Sequence, residues 1–165
     1  MIHLRLLAKE ELLLIQKIAQ HTWPSTFAGI LSSEQIAYML NWMYDLQLLE
    51  SQMDKGHGFL VAEEDGAAIG FAGYELNHLA GSLSKLHKLY LLPSSQGKGV
   101  GKALLLEVAK RAREARQKSL VLNVNKQNKK AIDFYRVLGF VTIRQEVNDI
   151  GSGYVMDDDV MELTL

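Results

Sequence analysis

The chain has 165 residues, of which 48% are hydrophobic and 22% are charged, a balance typical of globular proteins. The length favours a single domain over residues 1–165, and the composition excludes wholesale disorder. With 18 lysines and arginines against 19 acids, the formal net charge is −1, so we expect neither nucleic acid nor a membrane as partner. The absence of cysteine excludes disulfides, thiolate metal sites and cysteine-linked acyl intermediates. No secretory signal and no apolar stretch of membrane-spanning length is recognisable, so we expect a cytoplasmic protein.

The first third of the chain is predicted to form one strand followed by two helices. Alternating apolar residues in Ile2–Leu6 predict a half-buried strand, and helical spacing over 8–21 predicts the first helix. Ser32 and Gln35 form a capping-box pattern, so a second helix is predicted to start there and to reach Met53.

The remainder of the chain is predicted to form a mixed sheet with two more helices. A βαβ crossover in its middle makes the two joined strands parallel. The fold class is therefore α/β. The predicted elements are strands at 59–62, 68–74 and 83–92, a glycine-rich turn at 96–101 followed by a long helix, a strand at 120–124, a helix at 129–138, and a final hairpin of 140–146 with 154–165.

The glycine-rich turn between a strand and a long helix predicts an anion-binding site. Glycines allow close backbone approach, and the N–H groups at a helix start attract phosphate. A Walker loop is excluded because Gln96 stands where that loop needs glycine and Ala103 where it needs Ser or Thr. A Rossmann fingerprint starting at Gly99 fails at Leu104, where glycine or alanine is required.

The same turn resembles the coenzyme-A loop of the GNAT superfamily of N-acetyltransferases. Gln96, Gly99 and Gly101 match its pattern of Gln or Arg, two residues, Gly, one residue, and Gly or Ala. A second part of the family signature follows in order at the expected distance. It comprises Leu122, Val124, Asn128, Ala131, Phe134, Tyr135, Gly139 and Phe140.

The resemblance implies a single-domain GNAT-like fold, with a mixed sheet of about seven strands flanked by about four helices. Two parallel strands would splay apart and bind acetyl-CoA between them. A bulge near Tyr90 would leave the N–H of Leu91 free to polarise the thioester carbonyl. The residues that the resemblance assigns to acetyl-CoA are Leu89, Tyr90, Leu91, Gln96, Gly97, Lys98, Gly99, Val100, Gly101, Lys102 and Asn128.

Charge is distributed as an anionic partner requires, which could be RNA or the phosphates of coenzyme A. Residues 85–136 carry a formal charge of +10 and the rest of the chain −11. Lysines and arginines of the long helix fit a solvated helix face, whereas Lys98, Lys102, Lys129 and Lys130 are better placed for phosphates.

Tyr135 stands where the family carries the general acid that protonates the departing thiolate. Its other interpretation is a core aromatic beside Phe134, but neighbouring helical residues point about 100° apart, so one of the two is free to face the cofactor. The general base stays open between Glu75, His87 and a water molecule relayed by either. The other histidines show no ligand spacing, so no metal is expected.

The expected reaction is transfer of the acetyl group from acetyl-CoA to a primary amine, by direct attack in a ternary complex. The family shapes acceptor specificity in residues 23–53, and the aromatic and acidic residues of this segment suit a cation: Trp23, Phe27, Tyr38, Trp42, Tyr44, Asp45 and Glu50. Core packing is the plainer interpretation, because Tyr38 and Trp42 lie one helical turn apart. A second acidic cluster, comprising Asp157, Asp158 and Asp159, is expected at a solvated hairpin edge instead of a pocket. In layout the chain resembles bacterial polyamine acetyltransferases, so a small amine such as a polyamine is expected. The alternatives are a protein or peptide amine, or a coenzyme-A-binding regulator without turnover. The apolar residues of the second helix and the terminal strand are compatible with a homodimer.

Overall fold

The computed structural model describes all residues 1–165 as a seven-stranded sheet with five α-helices. The strands are β1 (Ile2–Leu6), β2 (His57–Glu64), β3 (Ala67–Glu75), β4 (Leu83–Leu91), β5 (Ser119–Asn125), β6 (Val141–Gly151) and β7 (Tyr154–Thr164). The helices are α1 (Leu12–Thr26), α2 (Ser33–Met43), α3 (Leu46–Asp54), α4 (Val100–Glu114) and α5 (Lys129–Val137). None of the helices combines the length and the apolar composition needed to span a membrane.

The strand order is β1-β2-β3-β4-β5-β7-β6, which confirms the predicted mixed α/β sheet. All neighbouring strands are antiparallel except β4 and β5, which are joined by the α4 crossover and run parallel. The chain returns through β7 between β5 and β6, so β7 is an interior strand and β6 lies at the edge.

The two faces of the sheet are covered by separate hydrophobic cores. Helices α4 and α5 pack on one face, where Leu104 and Leu120 are fully buried. Helices α1, α2 and α3 cover the other face around Trp23, Tyr44 and Phe71. A ligand that passes between two strands can therefore meet both layers of helices.

The predicted second helix is in fact two helices, which is why the structure has five α-helices instead of about four. The break lies at Tyr44 and Asp45, where the backbone leaves helical geometry. The Asp45 carboxylate accepts a hydrogen bond from the N–H of Leu48 at 3.0 Å and caps α3. The new helix start satisfies an otherwise free N–H, and this local signal outweighs the helical spacing that continues on both sides.

Pairing between β4 and β5 stops halfway along the strands, as the predicted splay requires. The last paired residues are Leu86 and Leu122, and β5 continues beyond this point on the side of β7 only. The predicted bulge at Tyr90 is wrong, because Tyr90 pairs regularly with Phe71 of β3. The irregularity lies instead at His87, the residue of β4 that the register with β3 skips.

This bulge changes which face each side chain of β4 occupies. Leu86 belongs to the core under α4, whereas Lys88 sits over the ring of Tyr44 in the core under α1–α3. In an unbulged strand residues two apart share a face, so the extra residue is what directs Lys88 to the opposite side.

The cap at Asp45 generates a stability prediction. Replacing Asp45 by Ala removes the acceptor for the Leu48 N–H and should lower the free energy of unfolding by about 1 kcal/mol in urea titrations. Asp45→Asn keeps a capping oxygen and should lose much less. Equal losses in the two variants would show that the cap does not stabilise the break.

Candidate active site

A cavity of about 1260 Å³ opens where β4 and β5 separate. It extends from the glycine turn before α4 to helices α1–α3 on the other face of the sheet. This volume exceeds that of a pocket for one drug-sized ligand, so two substrates can lie in it together. The predicted site residues on its wall are Leu89, Tyr90, Leu91, Gln96, Gly97, Gly99, Val100, Gly101, Lys102, Asn128 and Tyr135.

The glycine turn forms one end of the cavity as an anion-binding helix start. Gly97 and Gly99 have φ of +78° and +79°, a left-handed conformation that side-chain-bearing residues rarely adopt. Helix α4 begins at Val100 without a side-chain cap, and its first intrahelical bond runs from the N–H of Ala103 to the Gly99 carbonyl at 3.0 Å. The preceding N–H groups are therefore free for a phosphate, which the positive end of the helix dipole also attracts.

Cations surround this end of the cavity. The lysines on the wall beside the glycine turn are Lys102, Lys129 and Lys130. Lys130 donates a hydrogen bond to Oε1 of Gln96 at 3.0 Å, which ties α5 to the glycine turn. Lys98 lies outside the cavity, and its Nζ is 3.7 Å from the carboxylate of Glu64. The structure thus brings together every predicted cofactor residue except Lys98.

The separated strands leave backbone donors without strand partners in the middle of the cavity. The N–H of Leu92 bonds to the carbonyl of Ile69 on β3 at 2.8 Å. Because successive N–H groups of a strand point to opposite sides, those of Leu89 and Leu91 point away from β3 and into the gap. The gap can therefore bind an extended chain that carries amide groups.

Tyr135 lies on the wall of the gap, on α5. It is 8% exposed, its ring packs against Phe134 and Phe140, and its hydroxyl bonds to no other residue. Burial raises the pKa of this hydroxyl well above its ordinary value, so it is protonated at neutral pH. Asn128 both caps α5, accepting from the N–H of Ala131 at 3.3 Å, and lines the cavity.

The two candidate bases lie in direct contact. His87 Nε2 is 2.9 Å from Oε1 of Glu75, and His78 Nδ1 is 2.8 Å from the same oxygen. His57 stacks on His87 with ring centroids 4.6 Å apart. Burial lowers the pKa of His87 to about 3, so its imidazole is neutral. Burial alone would raise the pKa of Glu75, but hydrogen bonds from the two histidines outweigh it and the carboxylate stays ionised.

Two buried charges on the cavity wall were not predicted from the sequence. Lys88 is 6% exposed and holds its Nζ 5.6 Å from the centroid of the Tyr44 ring, and burial lowers its pKa to about 8. Asp158 is 3% exposed, and burial raises its pKa despite a 3.5 Å contact from the side-chain amide of Asn123. No sequence signal distinguishes Lys88 from Lys85, the other lysine of β4.

Residues Asp157, Asp158 and Asp159 were expected at a solvated hairpin edge, which is wrong for two of them. Asp158 and Asp159 are buried, and Asp158 lines the cavity. The reason is topological, since β7 is an interior strand between β5 and β6. Asp158 is the only carboxylate on the cavity wall.

The end of the cavity opposite the glycine turn, called the acceptor end below, is mostly apolar. Trp23, Phe27 and Trp42 line it, but Asp45 and Glu50 of the predicted acidic wall do not. The interpretation of Trp42 as a core residue is wrong, because Trp42 is 46% exposed at the cavity mouth. Of the predicted cation-binding wall, these three aromatic residues line the cavity, whereas Tyr38, Tyr44 and the acids do not.

Comparison with known proteins agrees with this geometry. Residues 15–140 match the Acetyltransferase (GNAT) family. A spermidine N(1)-acetyltransferase of Thermoplasma acidophilum is 32% identical over 161 residues, covering 94% of this chain and 96% of that protein. The L-amino acid N-acyltransferase MnaT of Escherichia coli is 30% identical over 70% of this chain and 69% of its own length. The crystal structure of the PaiA N-acetyltransferase of T. acidophilum with coenzyme A superposes with a TM-score of 0.82 at 30% identity, covering 100% of this chain and 99% of that one.

The fold is that of an N-acetyltransferase, with an uncapped helix start beside a splayed strand pair. The chain belongs to the GNAT family of acetyltransferases, and acetyl-CoA is its co-substrate.

The buried neutral His87 generates a prediction about pH. Its pKa of about 3 in the folded state lies below the unfolded value near 6.5, so its contribution to stability is complete above pH 6.5 and is lost as the pH falls towards 3. His87→Gln should therefore lose less unfolding free energy than the parent protein between pH 7 and pH 5, as measured by urea titration.

The control is His21→Gln, which removes an exposed histidine of α1. This variant should keep the parent difference between the two pH values. An unchanged difference in His87→Gln would contradict the burial of a neutral imidazole at this position.

Proposed function

We propose that the protein transfers the acetyl group of acetyl-CoA to the primary amine of a small molecule, with residues 1–165 acting as one domain. The observation that supports this most directly is a continuous cavity, which joins the phosphate-binding turn on one face of the sheet to an apolar, aromatic pocket on the other. The thioester would lie in the strand gap, where an amine from the acceptor side can reach it.

The contacts to acetyl-CoA come from α4, α5 and the unpaired backbone of β4. The N–H groups at the start of α4 and the side chains of Lys102 and Gln96 bind the diphosphate, and Asn128 contacts the cofactor from α5. The pantetheine arm pairs with the free backbone of Leu89 and Leu91. The N–H of Leu91 polarises the thioester carbonyl, which such a fixed donor can stabilise by about 3 kcal/mol in the transition state.

The chemistry needs one proton removed and one supplied. We propose that the acceptor ammonium loses its proton to solvent through a water molecule held by His87, whose lowered pKa excludes the ring itself as the final proton acceptor, while Glu75 holds the ring in place. The amine then attacks the carbonyl carbon, the C–S bond breaks, and Tyr135 protonates the thiolate of coenzyme A. Because the chain has no cysteine, a thiol acyl-enzyme is excluded and direct transfer in a ternary complex is the simplest route.

Polyamines are the first acceptors to test. Asp158 can pair with one ammonium group, the ring of Trp42 offers a cation–π surface, and the similar T. acidophilum protein is a spermidine acetyltransferase. The use of acetyl-CoA also supports the expected cytoplasmic location.

The direct test measures free-thiol release from acetyl-CoA with polyamines, amino acids, aminoglycosides and short peptides, beside calorimetry of acetyl-CoA binding without acceptor. We expect binding in the absence of acceptor and thiol release with a small amine. Release with peptides alone would replace the small-amine acceptor by a protein. Binding without release in any assay would favour a coenzyme-A-binding regulator.

The role of Tyr135 predicts a specific kinetic change. Tyr135→Phe removes the proton donor and should lower kcat about 100-fold or more while acetyl-CoA affinity by calorimetry changes little. The matched control is Tyr154→Phe, which removes a hydroxyl outside the cavity and should keep the parent kcat. A parent-like kcat in Tyr135→Phe would exclude this residue as the acid.

A further inference from the structure

Lys88 is a buried cation without a partner. Its side chain is 6% exposed, its Nζ forms no ion pair or hydrogen bond, and the ring of Tyr44 is its one favourable contact. Burial is the single cause of its lowered pKa, so no carboxylate of the protein compensates this charge. An isolated charge is expensive to bury, and proteins keep one where a ligand completes the site.

The side chain lines the acceptor end of the cavity. The ring beneath Nζ belongs to the core under α1–α3, which is the face opposite α4, α5 and the phosphate-binding turn. Met43 and Leu48 line the same part of the wall with the side chain of Gln52. A charge in this position faces the acceptor and is separated from the coenzyme-A phosphates by the sheet.

A second polar atom in this part of the cavity also lacks a partner. Oε1 of Gln52 is buried and accepts no hydrogen bond. Gln52 lies on α3, one turn beyond Leu48. The acceptor end therefore offers the Lys88 ammonium, the Trp23 indole N–H and the Gln52 Oε1 acceptor, all without a partner, in a mostly apolar wall.

We propose that Lys88 binds a carboxylate of the acceptor, so that the acceptor is a small molecule with both a primary amine and a carboxylate. This inference rests on the proposed acetyl transfer and narrows its substrate class. The amine end is directed to the thioester, with Asp158 as the only carboxylate on the wall available to an ammonium group.

Charge complementarity favours this class over polyamines. A polyamine would bring further ammonium groups to a wall that already holds the buried Lys88 and only one carboxylate. A carboxylate would instead replace the missing partner of Lys88 by a charge-assisted hydrogen bond in an environment of low dielectric, where such a bond is strong.

The experiment compares acceptors that differ only in the terminal group. We would measure kcat/KM by thiol release with 4-aminobutanoate, butylamine and putrescine, and with L-amino acids beside their decarboxylated amines. In the parent protein the best carboxylate-bearing amine should exceed its uncharged counterpart by about 10-fold or more, as expected for one charged hydrogen bond. Equal values, or a preference for putrescine, would overturn the proposal.

The variant Lys88→Met replaces the ammonium by a neutral side chain of similar length. It should abolish the advantage of the carboxylate-bearing acceptor by raising its KM, and should leave kcat/KM for butylamine within about 2-fold of the parent value. A uniform fall of kcat for all acceptors would overturn the proposal and would instead make Lys88 part of the proton-transfer machinery. The control variant Lys110→Met removes an exposed lysine of α4 and should match the parent with every acceptor.

Folding and binding are checked separately from turnover. Because Lys88→Met removes an uncompensated buried charge, its Tm without ligands should equal or exceed that of the parent. Calorimetry of 4-aminobutanoate and the best L-amino acid with the coenzyme-A-saturated protein should show binding that Lys88→Met weakens. If no acceptor releases thiol, the proposed acetyl transfer fails, and Lys88-dependent binding of the carboxylate still decides whether Lys88 holds an anion.

Discussion

The structure depends on one interruption of backbone pairing, the point beyond Leu86 and Leu122 where β4 and β5 stop bonding to each other. Unpaired N–H and C=O groups inside a sheet are costly unless something else bonds to them. An extended ligand with amide groups can take the place of the missing strand segment. The backbone groups that are unpaired in the free protein are therefore the groups that can bind the ligand. The cavity, the glycine turn at its end and the helices on both faces are all arranged around this gap.

The bulge at His87 determines which side chains of β4 face the acceptor side of the cavity. It places Leu86 in one core and Lys88 in the other, and it presents His87 at the cavity with Glu75 behind it. A regular strand would give consecutive side chains strictly alternating faces and could not direct both His87 and Lys88 to the acceptor side. One extra residue in β4 therefore determines which functional groups face the acceptor.

The sequence predicted the parts of the site that are contiguous. The glycine turn, the start of α4 and the Asn128–Tyr135 segment are local patterns whose geometry follows from glycine conformations and helix spacing. The Glu75 cluster was not predictable as a unit, because His57, His78 and His87 lie on different elements and meet only through strand register. Asp158 was misplaced because strand order decides its burial, and composition does not reveal that β7 lies inside the sheet. The break at Asp45 was missed because one capping carboxylate overrode a helical pattern that continues across it.

Buried charges that are costly in the free protein can still be useful for binding a ligand, and the acceptor end of the cavity is an example. Lys88 and Asp158 carry opposite charges and are both buried on the cavity wall, yet they form no ion pair with each other. A direct ion pair would lower the desolvation cost of both in the free protein, and the site would then have little left to offer a charged ligand. Keeping the two charges apart leaves each to be neutralised by a different end of one bound molecule. Such an arrangement sets both the polarity and the direction of the acceptor, because reversing the molecule would place like charges together at both ends.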